Sequence, residues 1–128
     1  METRIKAAMR LTGNYDPRLA LQRIPLGQAI TWRRGDAIER TKLKHDCDGW
    51  ELSTGLMNSL SLSHVLGQLL ARLGGFEQEI RSLCAETSIE PEISCAIYAR
   101  DGQPEITLSA EILHKLVELG VTLDIDIL

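Results

Sequence analysis

Residues 62–86 read LSHVLGQLLARLGGFEQEIRSLCAE, and this stretch decides the fold class. Leu62, Leu66, Leu69, Leu73, Phe76, Ile80 and Leu83 follow one another in alternating steps of four and three, the period of an amphipathic helix. Val65, Leu70 and Cys84 widen the stripe beyond a coiled-coil seam, as a helix lying on a sheet requires. Gly74-Gly75 interrupts it. Each glycine costs about 1 kcal/mol relative to alanine inside a helix, so the spacing predicts a kink or two consecutive helices.

The flanks change period from 3.6 to 2. In the first segment Ile5, Ala7, Met9 and Leu11 fall on one side and Arg4, Lys6, Ala8 and Arg10 on the other, a half-solvated strand. Gly13-Asn14 breaks it. Asp16-Pro17 reads as an N-cap followed by proline at the first helical position, and Pro25 ends that helix near Arg23 or Ile24. Residues 26–36 read as loop. Residues 37–45 read as a strand with Ile38, Arg40, Lys42 and Lys44 on one face. With Asp48-Gly49 as the turn, they are expected to form a hairpin with Trp50-Glu51-Leu52.

Beyond the long helix, Pro91 opens a strand from Glu92 to Ala99, Asp101-Gly102 signals a second hairpin, and 106–108 is the expected return strand. Ser109 caps a last helix, with Leu108 and Leu113 as a hydrophobic staple and Gly120 at the C-cap. Its inner face is expected to be Ile112, Leu113, Leu116 and Val117. In the final strand Val121, Leu123, Ile125 and Ile127 face inward; Thr122, Asp124 and Asp126 face outward.

The result is a single α+β domain over residues 1–128. Its sheet is mixed or mostly antiparallel with helices on one face, a ferredoxin-like βαββαβ core followed by a β-α-β extension. A chain of 128 residues with 44% hydrophobic and 25% charged residues is globular in composition. Residues 1–74 carry 11 basic and 7 acidic side chains; residues 75–128 carry 3 and 11. Mutual neutralisation across the sheet is the simplest consequence, and Arg4, Lys6 and Arg10 are expected to pair with Asp124 and Asp126 on a neighbouring last strand.

The net charge of −4 argues against a binder that neutralises many phosphates. Three cysteines without CxxC spacing suit a reducing compartment, and no signal-peptide or membrane-spanning run occurs; the expectation is a cytoplasmic protein off the membrane.

Four stretches carry a resemblance across nearly the whole chain. They are Gly13-Asn14-Tyr15-Asp16-Pro17, Thr31-Trp32-Arg33-Arg34-Gly35-Asp36, Gly49-Trp50-Glu51-Leu52-Ser53-Thr54, and the ending Ile106 to Leu113 followed by Leu119 to Ile127. In order and spacing they resemble the bacterial family catalogued as domain of unknown function 4279. Ala110 departs from it, where the family often has proline at the first helical position. The resemblance implies a small, bacterial, single-domain protein. It implies no activity, and no catalytic residue carries over.

No GxSxG, P-loop or GxGxxG occurs. His45-Asp46-Cys47-Asp48 is the densest ligand-type cluster but lacks the second pair that zinc needs, and it reads as a hairpin end. Cys84 and Cys95 fall on core positions. No catalytic residue, metal or cofactor is assigned, and the chain is read as a non-enzyme. The best functional candidate is the loop with Trp32, Arg33, Arg34 and Asp36, extended by Arg40 and Lys42. An aromatic beside two guanidiniums suits an interface anchor or an anion clamp. Equally, Trp32 can fold onto the sheet edge while Arg33 or Arg34 pairs with Asp36 or another carboxylate. Trp50 reads as core. The expectation is a protein-binding protein, of the immunity or inhibitor type that neutralises a toxin or effector. The alternative is a small-ligand or RNA-binding module using the basic segment 31–44. A homodimer through an exposed edge strand is left open.

Overall fold

A computed structural model describes residues 2–100 and 102–128. The long apolar stripe folds as two helices, α2 (Leu62–Leu73) and α3 (Glu77–Thr87), separated at Gly74-Gly75 as the sequence predicts. Ser61 caps α2, its hydroxyl accepting from the His64 N–H at 3.2 Å. Leu62, Val65, Leu66, Leu69, Leu70 and Leu73 are buried, each removal from water stabilising by about 1.5–3 kcal/mol.

These helices lie on a sheet built around β1 (Arg4–Gly13). The remaining elements are α1 (Arg18–Arg23), β2 (Ile30–Trp32), β3 (Asp48–Ser53), β4 (Met57–Asn58), β5 (Pro91–Tyr98), α4 (Ala110–Leu119) and β6 (Thr122–Ile127). The strand order is β2-β3-β1-β5-β6, with β4 paired to one end of β1. Every pairing is antiparallel except β5 with β6, which the α4 crossover makes parallel. The fold is α+β with a six-stranded mixed sheet and four helices. The strict βαββαβ order is not what stands here: β4 follows β3, and two helices rather than one precede β5.

Ile5, Ala7, Met9 and Leu11 are all fully buried in one cluster with Trp50, Leu52, Ile93, Cys95, Ile97 and the inner sides of the helices. The helices therefore share one face of the sheet. The other face carries Lys6, Ala8 and Arg10 on β1, Ser94 and Ala96 on β5, and Asp124 and Asp126 on β6.

Several expectations are corrected. Residues 37–45 are not a strand. They form a tight arm whose one ladder contact is the Ala37–Lys44 bridge, with Arg40 at a left-handed φ of 61° near its tip. Asp48 and Gly49 are not a turn but the start of β3, which pairs with β1 and β2. Part of the expected 26–36 loop is β2.

Residues 106–108 are not a return strand. The chain is instead tied at Glu105, whose N–H donates to the Leu60 carbonyl and whose carbonyl accepts from Leu62 N–H. Asp101 lies outside the described residues. Ser109 does cap α4, and Gly120 ends it at φ 68°. The buried side of α4 is Leu116 and Leu119, whereas Leu113 is 48% and Val117 77% exposed. α4 sits at the margin of the core, and half of its apolar stripe faces solvent.

Neutralisation across the sheet is not found. β5 lies between β1 and β6. Arg10 instead meets Glu51 at 3.0 Å, and no ion pair joins Arg4 or Lys6 to Asp124 or Asp126 among the described residues.

Candidate functional site

Three of the four quoted stretches meet at one end of the sheet. β1 ends at Gly13 and turns through Tyr15 into α1; β2 runs antiparallel to β3 and ends at Trp32; β3 begins at Asp48. Asp48 is the junction. Its Oδ2 accepts from Tyr15 N–H at 3.2 Å, its Oδ1 from Arg34 N–H at 2.9 Å, and Arg33 Nε lies 3.2 Å from Oδ1. These partners hold its carboxyl below the ordinary value, the Arg34 N–H contributing most and Arg33 and Tyr15 adding to it. Tyr15 is buried, donates from its hydroxyl to the Leu11 carbonyl at 2.6 Å, and has its phenol pushed well up by that burial.

Asp16 forms the second node. It accepts from Arg18 N–H at 3.0 Å and binds the Arg18 guanidinium at 2.7 Å, although α1 begins at Arg18 and its N-cap position falls on Pro17, one residue later than Asp16-Pro17 predicts. Arg33 Nη1 reaches it at 3.2 Å. The Arg18 contacts lower its carboxyl to about 2.

Trp32 is 7% exposed. Its ring lies over Gly49 on the sheet face opposite the helices, stacked on His45 with centroids 4.6 Å apart and with the Arg10 guanidinium 5.6 Å from its centre. A Cβ on Gly49 would stand 2.1 Å from the Trp32 ring, so β3 needs glycine there. Of the two readings of this loop, the arrangement matches the structural one: Trp32 folds onto the sheet and Arg33 is committed to Asp16 and Asp48. Asp36 accepts from the Arg33 N–H at 2.7 Å. Trp50 is fully buried, as expected.

What projects from this base is the arm. Gly35 N–H donates to the His45 carbonyl and His45 N–H to the Asp36 carbonyl, both at 2.8 Å; Ile38 N–H donates to Leu43 at 3.0 Å. Arg34, Arg40, Lys42 and Lys44 are exposed along it, and Leu43 is 67% exposed at the tip. Arg40 and Lys42 are thus separated from the Trp32 anchor by the length of the arm. The sequence reading missed Tyr15 and Asp48 as the residues that organise the site. The signal was their place inside two of the quoted stretches or beside them, which composition alone does not rank.

A shallow pocket of about 330 Å³ lies between Pro17, Arg18, Thr31, Trp32, Arg33 and Asp36. Its two guanidiniums already hold Asp16. In the His45-to-Asp48 cluster His45 stacks on Trp32 and Asp48 is taken up by Tyr15, Arg33 and Arg34, and no group of three His, Cys, Asp or Glu converges for a metal among the described residues. Burial pushes the Cys84 and Cys95 thiols up to about 11 and raises Cys47, helped by Asp46. Among the described residues no helix is long and apolar enough to cross a membrane.

No curated protein and no solved structure matches the chain. A family model does, over residues 3–128, which is nearly its whole length and spans all four quoted stretches. The chain belongs to the family described as domain of unknown function DUF4279.

Proposed function

We propose that this chain is a non-catalytic binding protein of the bacterial cytoplasm that engages a protein partner through the arm of residues 33–47. The observation that carries the reading is the contrast along the arm. Its base is fixed by Trp32, His45, Arg33 and Asp48, while its tip presents Arg40, Lys42, Lys44 and Leu43 to solvent. A preorganised loop on a rigid sheet costs little entropy on binding, and an apolar residue among cations suits an acidic protein surface. Burial raises all three free thiols, which supports a chain without an activated cysteine nucleophile.

The test is a pull-down from host lysate with the wild-type chain beside an Arg40→Glu/Lys42→Glu/Leu43→Ser variant. The variant leaves the anchoring residues intact, and circular dichroism checks its fold. The expected result is one protein recovered in stoichiometric amount by wild type and lost by the variant. The same protein retained by both, or none recovered, overturns the reading. Nucleic acid recovered by wild type, with binding that falls steeply with salt, assigns the basic segment 31–44 to RNA instead.

A further inference from the structure

The sheet face opposite the helices carries its charges in separate columns. Arg4 and Lys6 lie on β1, Asp124 and Asp126 on β6, and the small residues Ser94 and Ala96 on β5 between them. The register sets Lys6, Ala96 and Asp126 in one row. Adjacent strands are about 4.8 Å apart, which sets Lys6 and Asp126 two strands apart with Ala96 between them, and no ion pair joins the two within the chain among the described residues.

We infer that this face is self-complementary and binds a second copy of the chain, sheet to sheet, about a twofold axis along β5. That rotation keeps each residue at its height along the strands and exchanges left for right. It lays β1 over the partner's β6, and Lys6 over Asp126 of the partner subunit, twice by symmetry. Packed sheets lie about 10 Å apart, a gap that a lysine and an aspartate reach across together. Ser94 and Ala96 on the axis let the two β5 strands approach, and Tyr98 meets its own copy. Glu92 also meets its copy, beside an Arg10 from each chain. The arms connect β2 to β3, strands that lie outside the overlap.

Two other modes are disfavoured by the same columns. A twofold axis across the strands lays Arg4 and Lys6 over their own copies. Antiparallel pairing of β6 edge to edge in the register centred on Ile125 sets Asp124 opposite the partner's Asp126, like charges across a ladder.

Sedimentation equilibrium of the full chain at low and high salt tests the proposal, with Lys6→Glu, Asp126→Lys and the double variant, each checked for wild-type melting. The expected result is a dimer that weakens with salt. Each single substitution raises its dissociation constant at least about tenfold, and the charge-swapped double returns it to within about threefold of wild type. A wild-type monomer at low salt overturns the proposal, as does a dimer indifferent to both single changes. A dimer tightened by Asp126→Lys overturns it in favour of edge pairing. Arg40→Glu/Lys42→Glu leaves the dimer unchanged, so loss of the arm's partner and loss of the dimer are separate results.

Discussion

Asp48 does at one position what a longer loop would need several residues to do. Its two oxygens tie the end of β1, the end of β2 and the start of β3 together. Both Asp16 and Asp48 are depressed in the folded state, Asp16 to about 2 from an ordinary 3.8. A depressed carboxyl contributes stability that is fully present above its unfolded value and lost as pH falls through its folded one. The melting temperature is therefore expected to hold from neutral pH to about pH 5 and to fall between about pH 4 and 2. Asp48→Asn should melt lower than wild type at pH 7, with the difference closing towards pH 2; a gap undiminished there rules out an electrostatic origin.

Gly49 is the complementary case, a residue whose lack of a side chain is its contribution. Gly49→Ala should destabilise by about 1–3 kcal/mol, because the Trp32 ring must leave its seat. In a Trp32→Ala background the same change should cost far less, and denaturant titration of the four proteins measures that coupling.

Secondary elements were legible where burial enforced their period. The α2–α3 stripe, β1 and β5 each alternate because one side is in the core and the other is not. Residues 37–45 alternate too, but neither side is buried, so nothing forces an extended ladder and Arg40 turns the chain instead. Asp48-Gly49 has the composition of a turn; the glycine is needed for Trp32, a contact between distant residues that local sequence does not encode. On α4 the stripe was correct in period but wider than the surface available to cover it. The anchoring role of Trp32 was one of two readings, and only the placement of β2 beside Gly49 decides between them. Helix ends offer a test at this scale. Ser88 closes α3 at φ 57°, where glycine avoids the strain, so Ser88→Gly should stabilise by up to about 1 kcal/mol. Ser109→Ala should destabilise by about 1 kcal/mol through loss of the α4 cap. Thermal melts of both variants check the opposite signs.

Across the whole molecule the three thiols report on integrity. Cys84 and Cys95 are buried and pushed up to about 11, so they stay protonated near neutral pH. Alkylation of the native protein followed by mass spectrometry should label Cys47 first and leave the other two unmodified until denaturant is added. Early labelling of Cys95 would mean that β5 opens without global unfolding.

The central position of β1 has a temporal side. It is made before every other strand of the sheet, yet its longest pairing is with β5, from Arg4 against Tyr98 to Leu11 against Pro91. Most of the chain must be synthesised before that partner exists. Until then the apolar row of Ile5, Met9 and Leu11 can meet β3 and α2, but the β5 side of the sheet on which the helices settle is missing. Completion of the core is thus deferred until β5 has been synthesised, and the pairing of β1 with β5 is a contact of long sequence separation that closes late.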